Sequence, residues 1–243
     1  MIRVTSWHAI FWLLAAIGGV MLMLICWLPE TLPPEKRVKA SLPGAFRNYF
    51  ALLKNRHFMR FTLCVACYYV AAYAFITGSP FVYISYFGID AQHYGWLFAV
   101  NVVGLMAVSM VNRRLVHRYP LESLLKFAVL TATVAALILA LCTKLQLGGI
   151  VMIILSVFVF FPMHGSIAAT STAAALDNAG EITGSASALI GSLQYGSGIF
   201  APLLLAMFSH GTPWTMAWII WVFSLASAIM ALTTRVQPQR DDD

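Results

Sequence analysis

Long apolar stretches alternate with short polar gaps along almost the whole chain. Each stretch is close to 20 residues long, which is about the length that an α-helix needs to cross the hydrocarbon part of a bilayer. In lipid, the backbone groups must be satisfied within the segment, so such stretches are predicted to be helices. The pattern predicts an all-α membrane protein of about seven transmembrane helices. Their predicted bounds are Trp7–Leu28, Phe58 to about Phe87, Tyr94–Val111, Leu121–Cys142, Leu147–Ala168, Gly184–Phe208 and Trp214–Leu232.

Composition and charge agree with a bilayer as the solvent of this chain. Hydrophobic residues make up 60% of the 243 residues and charged residues only 10%, whereas soluble domains carry about 25% charged residues. The net charge of +6 does not indicate nucleic acid, because thirteen of the fifteen Lys and Arg residues fall in alternate gaps rather than on one domain face. Cytoplasmic loops carry such an excess, so the N terminus is predicted outside and the C terminus in the cytoplasm.

Prolines and a polar connector divide the chain. The prolines of LPETLPPEKR end the first helix, and Pro80 predicts a kink or break near the end of the second. Between these helices, apolar residues repeat at helical spacing, which predicts a short amphipathic helix along the inner membrane surface. These residues are Phe46, Tyr49, Phe50 and Leu53. The predicted organisation is a first helix (1–28), a central cytoplasmic loop with the amphipathic helix (29–57), a six-helix bundle (58–234) and a cytoplasmic tail (235–243).

Polar and aromatic side chains inside the predicted spans are the candidates for a binding site, because polar groups are rare in membrane helices and usually functional. A cavity lined by aromatic rings with a few polar groups suits bulky amphipathic ligands. The alternative is that these groups only form hydrogen bonds between helices, and the sequence leaves both open. The candidate substrate-binding residues are Tyr69, Tyr73, Asn101, His164 and Gln194.

The sixth predicted helix reads GSASALIGSLQYGSG, with small residues recurring along it. Such a stripe lets another helix approach closely, and in a transporter it would let helices rock against each other. Tight packing alone would also account for the pattern. The predicted helix-packing residues are Gly184, Ser187, Gly191 and Gly198.

Motifs for catalysis, metals and cofactors are missing from the sequence. It contains no G-x-S-x-G, no H-E-x-x-H and no phosphate-binding glycine loop, so neither an enzyme nor a cofactor is predicted. Cys64 and Cys67 form a C-x-x-C without a second pair or a nearby histidine, so no metal site is predicted. No acidic residue falls in the middle of a predicted span, so the usual carboxylate of a proton relay is missing.

Several segments, in order along the chain, resemble one family. SWHAIFW followed by LPETLPPEKR resembles its sixth helix and central loop, and GSPFVYI and YGWLFAVN resemble its seventh and eighth helices, with Gly95 and Asn101 in matching places. NRRLVHRY resembles the basic loop after the eighth helix, and TGSASALIGSLQYGSG resembles the eleventh helix. The family is the bicyclomycin- and chloramphenicol-resistance (Bcr/CflA) branch of the major facilitator superfamily. The resemblance covers nearly the whole chain, with one departure at Ser85, where an acidic residue is expected.

The resemblance implies twelve helices in two halves of six, of which this chain holds helices six to twelve. It implies multidrug efflux at the bacterial inner membrane, by antiport of small amphipathic drug-like compounds against protons. The family's first five helices carry much of its proton coupling, so the chain is expected to be a C-terminal fragment that is inactive alone. The expected partners in the bilayer are a separate N-terminal half or a second copy of the chain.

Two other classes of protein fit seven helices with an outside N terminus. A seven-helix receptor of the retinal type needs a Schiff-base lysine in its last helix, and Trp214–Leu232 contains none. A non-transporting membrane assembly subunit would differ from a transporter only in a transport or drug-binding assay. The resemblance favours the transporter.

Overall fold

The computed structural model describes residues 8–27, 42–177 and 179–233, and every regular element in these ranges is helical. The described residues belong to two compact units, one containing α1 and the other beginning at Leu42. The α-helices are α1 (His8–Cys26), α2 (Leu42–Lys54), α3 (Arg56–Pro80), α4 (Ala91–Leu115), α5 (Leu121–Lys144), α6 (Gly149–Phe160), α7 (Met163–Leu176), α8 (Thr183–Gly196), α9 (Phe200–Met207) and α10 (Trp214–Leu232).

Six helical stretches of the described ranges are long and apolar enough to cross a membrane, which confirms the predicted all-α membrane fold. Two are composite: α6 and α7 join at Phe161 and Pro162, and α8 and α9 join through a 3-10 turn at Ser197–Ile199. The apolar part of α1, Phe11–Cys26, is shorter than these six. The six stretches are Arg56–Tyr86, Ala91–Leu115, Leu121–Lys144, Gly149–Leu176, Thr183–Met207 and Trp214–Leu232.

Pro80 ends the α geometry of α3 but does not interrupt the helix. Proline has no N–H to donate to the carbonyl of the preceding turn, and the chain continues directly as a π-helix over Phe81–Tyr86. The Phe81 N–H bonds to the Gly78 carbonyl at this transition. The predicted kink or break therefore takes the form of a change in helix type, within one stretch of 31 residues.

The central helix of the bundle is α3, because 67% of the apolar stretch it begins is buried. It packs antiparallel to α10, and the two are joined where the Ser227 hydroxyl donates to the Cys64 carbonyl at 2.8 Å. Farther along α3, a Cβ built on Gly78 would lie 2.9 Å from Met216 Cγ. A glycine is needed there for the two helices to approach so closely.

Buried hydroxyl groups tie neighbouring helices together through backbone carbonyls. The Tyr68 hydroxyl on α3 donates to the Phe160 carbonyl at the end of α6, at 2.7 Å. The Thr133 hydroxyl on α5 donates to the Ser224 carbonyl on α10, at 3.0 Å. A buried polar group that loses its partner costs about 1–3 kcal/mol, so these bonds favour one relative placement of the helices.

The predicted amphipathic helix is α2, and its apolar residues divide between two sides. Leu52 is only 3% exposed and joins the bundle core, whereas Phe46, Phe50 and Leu53 are 63%, 64% and 47% exposed. Asn55 alone separates α2 from α3, and its side-chain oxygen caps α3 by accepting a hydrogen bond from a backbone N–H at 3.0 Å. The position of α2 along the membrane surface remains a prediction, with which the uncovered apolar side is consistent.

The two least buried spans are α4 and the α8–α9 span. Only 6% of the apolar stretch of α4 and 17% of that of α8–α9 are buried, against 44% or more in the other four spans. Large apolar side chains stand uncovered on both, such as Val103 on α4 and Ile199 before α9. These spans therefore carry faces that the described helices leave uncovered.

Candidate functional site

Four aromatic side chains from α3, α7 and α8 meet beside the junction of α6 and α7. The Tyr69 ring is central, with its centroid 4.6 Å from that of His164 and 6.1 Å from that of Tyr73. The Tyr195 ring, on α8, has its centroid 5.8 Å from that of Tyr69. Tyr69 is 9% exposed and Tyr195 is 67% exposed, so the group extends from the interior to the uncovered side of α8. We call Tyr69, Tyr73, His164 and Tyr195 the tyrosine–histidine cluster.

His164 occupies the first turn of α7, directly after the junction at Pro162. Its ring stacks on that of Tyr68, at 5.8 Å between centroids and 27° between planes, and on that of Phe161, at 6.1 Å and 7°. Its Nδ1 atom is buried and has no hydrogen-bond partner among the described residues. A buried polar atom without a partner is unfavourable by about 1–3 kcal/mol, so Nδ1 is available to a ligand group or to water.

Asn101 is 5% exposed on α4. Its amide nitrogen donates to the backbone carbonyl one turn back at 2.9 Å, while its Oδ1 is buried without a partner among the described residues. Phe98, one turn earlier, meets Phe161 at 6.1 Å, and Gly104, one turn later, packs on Pro162. Asn101 therefore lies on the side of α4 that meets the α6–α7 junction, where it has an unused acceptor.

Gln194 is 7% exposed on α8 and directly precedes Tyr195. The backbone carbonyl of Gln194 accepts a hydrogen bond from the Ser197 hydroxyl at 2.7 Å, and the same hydroxyl lies 3.1 Å from the backbone carbonyl of Ala66 on α3. Gln194 is therefore buried in the part of α8 that packs near α3, whereas Tyr195 is exposed. Its role in substrate binding remains a prediction.

The small-residue stripe of α8 is largely uncovered in this chain. No described atom lies within 4 Å of a Cβ built on Gly184 or Gly191, and Ser187 is exposed. Gly198 differs, because a Cβ there would lie 2.8 Å from two ring carbons of Tyr73. One member of the stripe packs within the bundle, and for the open part the helix-packing role remains a prediction.

Small and polar residues pack α4 against α7, and the sequence analysis did not single them out. The Ser166 hydroxyl donates to Asn112 Oδ1 at 2.9 Å in a buried contact. Nearby, a Cβ built on Gly165 would collide with the Ser109 hydroxyl, so the two helices touch closely at that glycine. These contacts hold α7, and with it His164, in register with α4.

Phe161 and Tyr195 contact predicted site residues although they were not among them, and Tyr68 of α3 stacks on His164. Each is an aromatic residue inside a span, where an apolar pattern does not distinguish a site ring from a core ring or a lipid-facing ring. Tyr195 carries a usable signal, because it directly follows Gln194 in a helix rich in small residues. A large ring between small neighbours has space around it for a ligand.

Within the described ranges, no three His, Cys, Asp or Glu side chains are grouped so that they could hold a metal ion. The four cysteines are free. Cys64 Sγ lies 3.3 Å from the Ser227 hydroxyl, so this thiol takes part in helix–helix contact. The candidate site therefore offers aromatic faces, amides, hydroxyls and one imidazole.

The six long apolar stretches of the described ranges define the class of multi-pass membrane proteins. Residues 1–202, most of the chain, match the family model described as Major Facilitator Superfamily. The chain therefore belongs to the major facilitator superfamily.

Two curated relatives narrow the comparison. The chain is 33% identical over 204 residues to the Uncharacterized MFS-type transporter YdgK of Bacillus subtilis, covering 82% of this chain and 50% of the relative. It is 27% identical over 212 residues to the Bicyclomycin resistance protein homolog of Haemophilus influenzae, covering 87% and 53%. The chain spans about half the length of the curated relatives it matches. The second relative supports the resemblance to the Bcr/CflA branch.

Proposed function

We propose that this chain is the C-terminal part of a multidrug efflux transporter, which exchanges small amphipathic compounds for protons across the bacterial inner membrane. The C terminus lies in the cytoplasm, as the distribution of basic residues indicates. Substrate binds near the middle of the membrane at the tyrosine–histidine cluster, with Asn101 and Gln194 beside it. Rocking of two halves opens this site to one side of the membrane at a time.

The position of the tyrosine–histidine cluster carries this proposal. Its rings extend from buried Tyr69 to exposed Tyr195. Within it, His164 Nδ1 is buried without a partner among the described residues, and so is Asn101 Oδ1, on the side of α4 that meets the α6–α7 junction. An amphipathic drug combines flat apolar area with a small number of polar groups, and sites for such molecules combine aromatic walls with few polar atoms. The cluster fits that description.

A complete site needs an opposite wall. The faces of α4 and α8–α9 are mostly uncovered, and the small-residue stripe at Gly184 and Gly191 is open to a close approach. Alternating access needs two bundles that close around one site. In this proposal the second wall is a separate N-terminal half or, failing that, a second copy of the chain, and the 243-residue chain alone is inactive.

Drug accumulation in cells that lack their own exporters tests the proposal. The chain alone is expected to leave accumulation unchanged. Co-expression with the N-terminal half of the Bacillus subtilis relative is expected to give energy-dependent efflux that Asn101→Leu abolishes. Val103→Leu is the matched control, because Val103 is 64% exposed on the same helix and the larger side chain has room there.

Two results would contradict parts of the proposal. Energy-dependent efflux by the chain alone, abolished by Asn101→Leu, would refute the half-transporter and show that a homodimer suffices. Efflux that survives both Asn101→Leu and Tyr69→Leu would show that substrate does not bind at the cluster.

A further inference from the structure

Among the Asp, Glu, Lys, Arg and His residues of the described spans, only His164 lies near the middle of a span. Asp90, Glu122 and Asp177 lie at helix ends, and the Lys and Arg residues of the six spans lie within their first or last two turns. Histidine is also the side chain that ordinarily titrates between pH 5 and 8. The described spans therefore contain a single mid-membrane group suited to take up and release a proton.

The groups packed around His164 place no fixed charge against it. From α3 it meets the rings of Tyr68 and Tyr69, and Tyr195 of α8 reaches only Tyr69. Phenols ordinarily ionise near pH 10. The Asp, Glu, His, Lys and Arg residues are absent from all of α6, from residues 94–112 of α4 and from residues 127–141 of α5. The thiols of Cys64 and Cys67 on α3 complete the titratable groups near this level.

The surroundings of His164 treat its two protonation states differently. Aromatic faces attract a cation by about 0.5–2 kcal/mol, and the ring stacks on Tyr68 and Phe161. An imidazolium has two N–H donors, however, and Nδ1 lacks an acceptor among the described residues. The charged form is therefore stable in this place only while water reaches the ring.

We propose that His164 is the proton-binding side chain of this half and that proton and substrate compete for the same place. Without substrate, water enters the tyrosine–histidine cluster, and a hydronium ion in that water passes its proton to the unprotonated ring nitrogen of His164 and becomes water. Substrate then covers the tyrosine faces and displaces the water, so the imidazolium gives its proton back to water on the open side. No other bond forms or breaks. The inference rests on the proposed efflux function and adds the coupling step to it.

Competition at one place is sufficient for exchange. Because the rings of Tyr69 and Tyr73 are needed by the substrate, and the water among them is needed by the charged His164, the site holds one of the two at a time. A site that cannot carry both moves them in opposite directions when its access alternates.

The first measurement needs no substrate. The purified 243-residue chain in lipid nanodiscs, labelled with ¹⁵N-histidine, is titrated from pH 8 to pH 5 and followed by NMR. The signal missing in His164→Gln is that of His164, and it is expected to change from the neutral to the charged form within this range. If His164→Gln does not fold, His164→Phe, whose ring can keep the stack on Phe161, identifies the signal. A His164 that stays neutral down to pH 5 overturns the inference.

The second measurement is the binding of chloramphenicol, a neutral amphipathic probe, to nanodiscs that hold the chain together with the N-terminal half of the Bacillus subtilis relative, because a complete site needs that opposite wall. Wild type is expected to bind at least about tenfold more weakly at pH 5 than at pH 8, since one competing proton lowers affinity by up to tenfold per pH unit. His164→Gln is expected to bind with less than about twofold change across this range. His210→Gln, in the exposed loop after α9, is the control and is expected to keep the pH dependence.

The outcomes separate the inference from the proposed function. Binding that has no pH dependence in wild type, or that keeps it in His164→Gln, overturns the competition while the binding site itself stands. No binding of chloramphenicol at either pH counts against the proposed function and the competition together. A neutral-to-charged transition of His164 that chloramphenicol shifts to lower pH supports the inference by the reciprocal effect.

Discussion

Replacing Gly198 by alanine is expected to destabilise the bundle, because the new methyl group meets the ring of Tyr73. A Cβ at this position would lie 2.8 Å from the Cδ2 and Cε2 atoms of that ring, whereas carbon atoms in contact prefer about 3.5–4.0 Å. The Tyr73 ring therefore has to move by roughly 1 Å. Since Tyr73 belongs to the tyrosine–histidine cluster, the substitution acts on the site as well as on stability.

The magnitude follows from two opposing effects. Overpacking a well-packed contact costs about 1–3 kcal/mol, and alanine recovers up to about 1 kcal/mol because it favours helix over glycine. The expected net loss for Gly198→Ala is therefore up to about 2 kcal/mol relative to wild type, and about 1–3 kcal/mol relative to a glycine-to-alanine change without the clash. Gly191→Ala is the matched control in the same span: no described atom lies within 4 Å of its new Cβ, so it is expected to be neutral or slightly stabilising.

Thermal unfolding of the detergent-purified chain, followed by circular dichroism, measures both variants. A double-mutant cycle with Tyr73→Ala isolates the contact, because removal of the ring should relieve the cost of Gly198→Ala. If Gly198→Ala melts no lower than Gly191→Ala, or if Tyr73→Ala leaves its cost unchanged, the close approach is not a feature of the folded protein. A larger loss of stability in Gly191→Ala than in Gly198→Ala would show that Gly191, and not Gly198, is the tightly packed glycine of the stripe.

Three further changes have defined outcomes. Gly191→Leu is expected to leave the unfolding temperature of the chain unchanged but to abolish efflux with a co-expressed N-terminal half, because its site is open here; an early-melting variant would place a helix of this chain on the stripe. Tyr68→Phe removes the bond to the Phe160 carbonyl and is expected to lower stability by about 1–3 kcal/mol in thermal unfolding; an unchanged melting curve would deny that bond a structural role. A phosphatase that is active only outside the cytoplasm is expected to work when fused after Asp90 and to be silent in the loop between α4 and α5; the reverse pattern would invert the predicted topology.

The hydrophobic pattern located the spans because lipid leaves the backbone few alternatives to a helix. The predicted helix Trp214–Leu232 has the bounds of α10, and the predicted start at Leu121 is that of α5. The misplaced ends lie where polar residues continue a helix beyond its apolar part, as where α4 runs on to Leu115. Hydropathy reports where lipid lies, whereas a helix end is set by local hydrogen bonding.

Three residues of the candidate site were predictable from the sequence, but their arrangement was not. Tyr69, Tyr73 and His164 were predicted, and the structure brings them into one cluster. Tyr195 was missed because hydropathy does not distinguish a tyrosine that faces lipid, core or ligand, although its place beside Gln194 among small residues was a signal. The small-residue stripe likewise predicted that another residue approaches closely, but not which one. Among the three glycines of the stripe, only Gly198 has such a neighbour in the described bundle, the ring of Tyr73. Contacts between distant segments depend on how helices cross, which residue spacing does not encode.

The short link between α2 and α3 has a mechanical consequence. A single residue, Asn55, joins a helix with an uncovered apolar side to the most buried helix of the bundle, and its side chain clamps the first turn of α3. If α2 floats at the bilayer surface as predicted, it acts as a lever arm, and a change in the lateral pressure of the lipids exerts a torque on α3. Tyr69 and Tyr73 belong to α3, so the shape of the proposed ligand-binding surface would respond to the tension and composition of the membrane.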